Sequence, residues 1–310
     1  MQQQIINFNM TTTNIDVQVN NHHKDATDSN RKVWDAIADW WELKHSESGN
    51  DGTDMFTECL LPQVKDLASW KEGETVLDLG AGSGIICRMF AKNGAKVTGL
   101  DYSQPMLDKA RKRAESDGLA VEYDFIDLMD IDNMKDYASK HPEKFDIITI
   151  STTLKSLPSL EPIAEALPLL LKPGGRVVNV DLHPAFSKPA GHRGMEVFED
   201  PETGKQQLQT YIKVMRYLNI PPSQSEAVRG QPEPLVGQTA SAERFLTNYR
   251  QTTYHRPFWS LLDPFFRNGL VMDAMREPAF ETKGGDPEHP QSYHNFPQTP
   301  MLLAFRLKHR

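Results

Sequence analysis

The sequence predicts a single α/β domain built on a doubly wound, mostly parallel sheet. Three observations carry this prediction. Short apolar runs alternate with helical patterns between about residues 75 and 180, and a glycine-rich turn follows the first run. The length of 310 residues is enough to bury one substantial core with a small elaboration. Strands separated by helices of this length form parallel sheets covered on both faces.

The first helical pattern places Val33, Ile37 and Trp40/Trp41 on one apolar face. Further on, Gly94 ends one helix, and Ser103 caps the next, which has Pro105 in its first turn. The remaining elements follow from apolar runs and periodicity. Strands are expected at 75–79, 96–100, 121–125, 145–150, 176–180, 270–275 and 301–307, and helices at 33–44, 55–67, 84–93, 103–114, 132–140, 162–171 and 257–266.

Residues 1–30 contain ten Asn or Gln and few large apolar side chains, which predicts a disordered tail. Residues 31–310 are expected to form one domain. It divides into N-terminal helices at 31–72, the alternating core at 73–185, a polar, proline-rich insertion at 186–250, and a closing helix and strand hairpin at 251–310.

The net charge is −8, and no block of Lys and Arg is present, so no nucleic-acid partner is expected. The two cysteines, Cys59 and Cys87, lie too far apart for a metal-binding or disulfide pattern, and no metal site is expected. No secretory signal is apparent, and no apolar run approaches the roughly 18 residues of a membrane span. These features predict a cytoplasmic protein without a membrane partner.

Glycines 80, 82 and 84 lie between a strand and a helix, where the backbone turns tightly and a ligand can approach closely. The spacing does not match a dinucleotide fingerprint, because Ile85 and Cys87 occupy the positions of the third glycine. It also lacks the Gly-Lys-Ser/Thr ending of a P-loop. The turn therefore predicts a ligand other than the usual dinucleotide or triphosphate.

Two acids accompany this turn. Asp78 lies two residues before Gly80, which favours a ligand carrying an ammonium group over one carrying a pyrophosphate. Asp101 ends the second strand, seventeen residues beyond Gly84. An acid at that strand end can accept hydrogen bonds from both hydroxyls of a ribose.

Together these segments resemble class I S-adenosylmethionine-dependent methyltransferases, in particular small-molecule enzymes of the type 11/25 kind. The similarity covers about residues 31–183 and includes Val76–Gly84, Gly99–Ser103, Asp124–Leu128, Phe145–Ile148 and Leu171–Arg176. It implies a seven-stranded Rossmann-like methyltransferase sheet with an antiparallel last strand, an N-terminal helical lid at 31–72, a donor-binding core at 73–185 and an acceptor cap at 186–250. A generic nucleotide-binding sheet with another ligand is the alternative.

The resemblance implies S-adenosylmethionine as cofactor. In this family the glycine turn passes under the methionine part, the first acid holds the ammonium, the second binds the ribose, and the end of the third strand frames the adenine. Ser151 would face the sulfonium, and Trp41 of the lid would line the pocket. The donor-site residues so implied are Asp78, Gly80, Ala81, Gly82, Gly84, Asp101, Tyr102, Asp127, Leu128, Ser151 and Trp41.

Two histidines are candidate catalytic bases. His183 follows the fifth strand at the edge of the sheet where ligands bind, and His255 precedes the last helix. The alternative is that each ring only anchors its loop by hydrogen bonds. A base is optional in methyl transfer, because positioning alone can supply up to about 7–11 kcal/mol.

The implied activity is methyl transfer to O, N, S or C of a small organic acceptor by a monomer or homodimer. Ser151–Leu154 lacks the Asn/Asp-Pro-Pro-aromatic motif of nucleic-acid amino methyltransferases. Aromatic and Met residues of the insertion could line an acceptor pocket or serve ordinary packing; these are Tyr211, Met215, Tyr217, Phe245 and Tyr249. Two further functions stay open: a donor-binding protein with a non-methylating or partner-binding role, and a protein or RNA methyltransferase.

Overall fold

The structure is a computed structural model that describes residues 27–42, 55–226, 250–281 and 292–310. Residues 27–42 form helix α1, so residues 27–30 belong to a helix and not to the expected tail. Thr27 and Asn30 are buried there, which explains why two polar residues are ordered. Residues 1–26 of the expected tail lie outside the described residues.

The first half of the described chain alternates as predicted. After α1 come a π-helical turn at Met55–Leu60, α2 at Leu61–Ala68, β1 at Thr75–Leu79, α3 at Ile85–Lys92, β2 at Lys96–Asp101, α4 at Gln104–Ser116, β3 at Val121–Phe125, α5 at Ile131–Lys140, β4 at Phe145–Ser151, a 3-10 turn at Leu154–Ser156, α6 at Glu161–Leu170 and β5 at Leu171–Leu182. The expected cap of α4 is confirmed, because Ser103 Oγ accepts a hydrogen bond from Met106 N at 3.4 Å. Strand β5 begins five residues earlier than the apolar run indicated.

The second half contains more strand than the sequence indicated. It comprises β6 at Gly191–Glu199, β7 at Gln206–Val214, β8 at Ser223–Glu226, β9 at Arg250–Thr253, α7 at Phe258–Arg267, β10 at Leu270–Arg276, a 3-10 turn at Tyr293–Asn295 and β11 at Leu302–His309. β6 pairs with β7, and β8 with β9, each as a separate antiparallel pair. No strand was predicted in this polar insertion, because its side chains lack the alternation of a half-buried sheet.

The central sheet has the order β3-β2-β1-β4-β5-β11-β10. The five strands β1 to β5 run parallel, and β11 runs antiparallel to β5 and β10. This confirms the predicted seven-stranded, mostly parallel sheet. The carboxyl ends of β1, β2 and β4 therefore meet at one edge, where ligands bind in open α/β sheets.

Two apolar layers cover the sheet. Alternation along β5 puts Val177 in the layer beneath α5, α6 and α7, and Val178 in the layer beneath α2, α3 and α4. None of the described helices has the length and apolar character needed to cross a bilayer.

Helix α1 lies beside α4 and is tied to it at three points. Asp35 Oδ1 accepts a hydrogen bond from Ser103 Oγ at 2.7 Å. Asp39 pairs with Lys109, and Glu42 pairs with Arg113. The acids recur at spacings of three or four residues, so they share one helix face, and that face looks onto α4. These contacts hold α1 above the edge where the strands end.

Candidate functional site

A cavity opens at the carboxyl ends of β1, β2 and β4. It encloses about 850 Å³ free of protein atoms when the solvent at its mouth is included. The residues that line it are Trp34, Trp41, Phe56, Asp78, Gly80, Ala81, Gly82, Ser83, Ile85, Ile86, Asp101, Tyr102, Met106, Asp127, Leu128, Ser151, Thr152, Thr153, Ser156 and Leu157. The structure thus brings ten of the eleven expected donor-site residues to one cavity; the other, Gly84, ends the glycine turn.

The glycine turn forms the floor of this cavity. The backbone φ angles of Gly80, Gly82 and Gly84 are +76°, +53° and +78°, a region that residues other than glycine rarely adopt. The Gly80 and Ala81 amides donate to the Leu100 carbonyl at 2.8 and 2.9 Å, which ties the turn to β2.

The three glycines have different neighbours. A Cβ atom at Gly80 would collide with Thr153, and one at Gly84 would collide with the Tyr123 hydroxyl. A Cβ atom at Gly82 would have the Trp41 Nε1 atom, at 3.9 Å, as its nearest neighbour. The backbone of Gly82 therefore faces open space in which a ligand could lie.

Asp101 is buried at the end of β2 and anchors two backbone amides. Its Oδ2 accepts from Gly82 N at 2.9 Å, and its Oδ1 accepts from Ser103 N at 2.8 Å. Burial raises the pKa of Asp101 to about 6, so the group is mostly ionised at neutral pH. Each carboxylate oxygen has more than one lone-pair site, so the pair can also accept two ligand hydroxyls.

Asp78 lies at the other side of the glycine turn. Its Oδ1 accepts from Thr149 Oγ1 at 2.7 Å, and Cys87 Sγ lies 3.4 Å from its Oδ2. Both partners are uncharged, and burial raises the pKa of Asp78 to about 6. A buried carboxylate with neutral partners is stabilised by a cation, and a ligand ammonium in the cavity would supply one.

Two buried hydroxyls in the cavity wall lack a partner among the described residues. These are Ser83 Oγ, after the second glycine, and Ser151 Oγ, at the end of β4. Buried polar groups in folded proteins are nearly always hydrogen-bonded, so each hydroxyl indicates a polar ligand atom or a water molecule at this place.

The loop after β3 closes one end of the cavity. Asp127 Oδ1 accepts from Met129 N at 2.9 Å, which sets the turn that carries Leu128 into the wall. Burial raises the pKa of Asp127. Tyr102 lines the same end, and burial raises its pKa as well.

The lid side of the cavity is aromatic. Trp34 and Trp41 meet edge to face with 5.2 Å between their ring centroids, and Trp41 meets Phe56 in the same way at 5.8 Å. Trp41 lines the cavity as expected, and so does Trp34, for which core packing was the simpler expectation. Trp40 is not among the lining residues.

Neither candidate histidine lines the cavity. The His183 ring is 1% exposed and stacks on Phe186. Its Nδ1 accepts from Ala185 N at 3.2 Å, so its Nε2 carries the proton that it donates to Glu277 Oε1 at 2.9 Å. Burial lowers the pKa of His183. Both ring nitrogens are occupied, as a loop anchor requires.

His255 lies against the insertion. Its Nε2 lies 2.7 Å from the Tyr217 carbonyl, which it can only approach as a donor. Burial lowers the pKa of His255, so the ring is neutral at neutral pH. Tyr217 also accepts a hydrogen bond through its hydroxyl oxygen from Phe258 N at 2.9 Å. The arrangement holds the start of α7.

The described part of the insertion lines no part of this cavity. Tyr211 and Met215, which could have faced an acceptor pocket, are 38% and 65% exposed. Phe245 and Tyr249, from the same expectation, lie outside the described residues.

Sequence reasoning missed several residues of the site, including Thr149, which bonds Asp78 without lining the cavity. Thr149 had a usable signal, because it is a polar residue in the middle of a buried strand. Thr152 has a φ angle of +52°, unusual for a β-branched residue and typical of strained backbone at functional sites. Only the tertiary structure brings Phe56, Met106, Ser156 and Leu157 to this cavity.

Part of the chain is similar in sequence to known proteins. A family profile described as "Methyltransferase domain" matches residues 70–217. The ubiquinone biosynthesis O-methyltransferase of Actinobacillus pleuropneumoniae is 35% identical over 138 residues, which cover 44% of this chain and 57% of that protein. The Klebsiella pneumoniae enzyme of the same name is 31% identical over 145 residues, covering 46% and 56%. The chain thus spans little more than half the length of these relatives.

Solved structures share the fold. An S-adenosylmethionine-dependent methyltransferase from Mesorhizobium loti superposes with a TM-score of 0.54 and 21% identity, covering 80% of this chain and 96% of that one. The PH0226 protein of Pyrococcus horikoshii superposes with a TM-score of 0.52 and 14% identity, covering 88% and 99%. Residues 70–217 are therefore similar to a methyltransferase domain, and the chain shares the fold of the solved S-adenosylmethionine-dependent methyltransferase.

Proposed function

We propose that this protein transfers the methyl group of S-adenosylmethionine to a small organic acceptor. The observation that carries the proposal is the pair of buried carboxylates, Asp78 and Asp101, on either side of a glycine turn whose middle residue faces open space. The donor has an ammonium group and a ribose with two hydroxyls. These groups match an acid with neutral partners and an acid at the end of β2.

The remaining polar groups of the cavity support the same ligand. The unpartnered hydroxyls of Ser83 and Ser151 offer hydrogen bonds to a polar ligand. Two carboxylates beside the glycine turn would repel a pyrophosphate, which disfavours a dinucleotide. We assign the adenine to the end formed by Asp127 and Leu128, and the sulfonium to the side of Ser151.

When bound, S-adenosylmethionine supplies an electrophilic methyl group. The chain would hold the donor's ammonium through Asp78 and its ribose through Asp101, while Trp34, Trp41 and Phe56 exclude water from one side. The ionisable residues of the described wall are Asp78, Asp101, Tyr102 and Asp127, and all four belong to the proposed donor site. We therefore infer that the described residues act mainly by positioning the acceptor in line with the methyl group.

The acceptor would approach from the β4 side. There the wall carries the hydroxyl-bearing residues Ser151, Thr152, Thr153 and Ser156, followed by Leu157. We propose that the insertion at 186–250 completes this side, because Gln251 in the strand directly after it donates to Ser156 Oγ at 2.9 Å. The similar proteins are named O-methyltransferases, so oxygen is the first acceptor atom to test.

Calorimetric titration tests the donor site. We expect micromolar binding of S-adenosylmethionine and of its product, S-adenosylhomocysteine, and no binding of NAD. Binding of NAD alone would contradict the proposal. A protein that binds the donor is then incubated with methyl-labelled S-adenosylmethionine and hydroxylated aromatic compounds, amines and thiols, and labelled product is counted. Donor binding without transfer to any acceptor would favour a non-methylating role.

A further inference from the structure

In the turn after β4, residues 154–157, every backbone carbonyl accepts a hydrogen bond from a residue outside the turn. Arg256 donates through Nη1 to the Leu154 carbonyl at 2.9 Å and through Nη2 to the Leu157 carbonyl at 2.5 Å. The Tyr254 amide donates to the Lys155 carbonyl at 2.7 Å. We call residues 154–157 the β4 turn. It forms part of the cavity wall through Ser156 and Leu157.

The remaining carbonyl of the β4 turn, that of Ser156, accepts a hydrogen bond from helix α1, residues 27–42, which we call the lid helix. Asn30 Nδ2 donates to the Ser156 carbonyl at 3.2 Å and to the Thr252 carbonyl at 2.9 Å. The Thr252 amide in turn donates to Asn30 Oδ1 at 2.8 Å. Asn30 thus pairs with strand β9 as the peptide group of a neighbouring strand would, and both of its N–H donors are used.

Asn30 lies one helical turn from a residue that lines the cavity. It is 1% exposed, and Trp34 follows one helical turn later on the same face of α1. Trp34 lines the cavity on the lid side, and Ser156 lines it on the β4 side. A single buried amide therefore joins the two walls between which the proposed donor would lie.

The Asp39–Lys109 ion pair of α1 contributes little to holding the helix in place. The Asp39 side chain is 96% exposed in its pair with Lys109, and exposed ion pairs contribute little. The Asn30 hydrogen bond to the Ser156 carbonyl is buried and those with Thr252 are partly buried, and leaving buried carbonyls without donors is costly.

We propose that Asn30 is a positioning residue that latches the lid helix onto the β4 turn and β9, so that retention of the donor depends on the strand following the insertion. The inference rests on the proposed function, since it takes the donor to be the ligand of this cavity. It assigns Asn30 no contact with the ligand.

The test is the rate at which S-adenosylhomocysteine leaves the protein, measured by stopped-flow tryptophan fluorescence, since Trp34 and Trp41 line the cavity. We expect Asn30→Ala to accelerate release about tenfold. Asn30→Asp should release the ligand at least as fast, because a carboxylate cannot donate to the Ser156 and Thr252 carbonyls. Asn133→Ala, on the exposed surface of α5, is the matched control and should match the wild type.

A second measurement needs no ligand. Amide hydrogen exchange in α1 should be faster in Asn30→Ala than in the wild type, while exchange in α4 stays the same. A merely stabilising role would lower the melting temperature without changing the release rate. Release within twofold of wild type, or unchanged exchange in α1, would overturn the latch. Failure of the wild type to bind S-adenosylhomocysteine would contradict the proposed function, and exchange in α1 would still decide on the latch.

Discussion

The backbone amide of Gly82 donates a hydrogen bond to Asp101 Oδ2 at 2.9 Å. The acid that ends β2 therefore fixes the turn that follows β1, and the proposed ribose site and methionine site are parts of one hydrogen-bonded unit. A ligand that contacts Asp101 meets a glycine turn whose position is already set. Such preorganisation lowers the cost of binding.

Replacement of Asp101 should weaken donor binding. Asp101→Ala removes the carboxylate proposed to accept both ribose hydroxyls, and hydrogen bonds to a charged group contribute about 1.5–3 kcal/mol each. We expect the Kd of S-adenosylhomocysteine to rise at least tenfold in calorimetric titration. Asp124→Ala, in the exposed part of β3, is the control and should leave the Kd unchanged. Equal affinity of Asp101→Ala and wild type would remove Asp101 from the site.

Two glycine variants separate folding from ligand binding. Gly80→Ala places a methyl group against Thr153, so we expect a clear fall in melting temperature. Gly82→Ala meets no protein atom closer than 3.9 Å, so its cost to folding is mainly the left-handed backbone, about 1–2 kcal/mol. Its main effect should be a higher Kd for S-adenosylhomocysteine. If Gly82→Ala bound the ligand as tightly as wild type, the ligand would not lie over this turn.

Donor binding should weaken in acid. Burial raises the pKa values of Asp78 and Asp101 to about 6, and the proposed contacts need both groups ionised, whereas a ligand ammonium stays protonated in this range. Between pH 7 and pH 5 we expect the Kd of S-adenosylhomocysteine to rise by about tenfold for each carboxylate. A Kd that is constant over this range would show that neither acid must ionise for binding.

In the ligand-free protein, ionisation of the same two acids lowers the free energy of unfolding, whereas it favours donor binding. Their folded-state pKa values exceed the ordinary value of 3.8, so the folded state binds more protons than the unfolded state between about pH 4 and pH 6. Their contribution to the free energy of unfolding therefore falls as pH rises through this window. Urea unfolding of wild type and Asp101→Asn at pH 4.5 and pH 7 measures it. Between pH 4.5 and pH 7, the free energy of unfolding of wild type should fall more, or rise less, than that of the variant.

Replacement of His183 should affect stability more than catalysis. Its ring nitrogens are both engaged, with Ala185 and Glu277, and the ring packs on Phe186. We expect His183→Ala to lower the melting temperature and to leave kcat, once an acceptor is known, within about threefold of wild type. A hundredfold loss of kcat in a variant that stays folded would restore His183 as the base.

Much of this arrangement followed from local sequence. Thr75–Leu79 and Lys96–Asp101 are strands because their apolar residues are buried on both faces, and the glycine turn lies where a strand passes directly into a helix. Since parallel strands end at one edge, Asp78 and Asp101 were predictable as neighbours.

The lid and the β4 turn depended on contacts between distant residues. Asn30 is ordered by Thr252, 222 positions away, and its own neighbours in the sequence resemble a polar tail. Thr149 Oγ1 donates a hydrogen bond to Asp78, which lies 71 positions earlier in the sequence. In the alternating core, side-chain types and their periodicity specify which strands and helices form and the edge at which the strands end. They do not specify which polar partners meet there, because those pairs arise only when the sheet and its helices pack together.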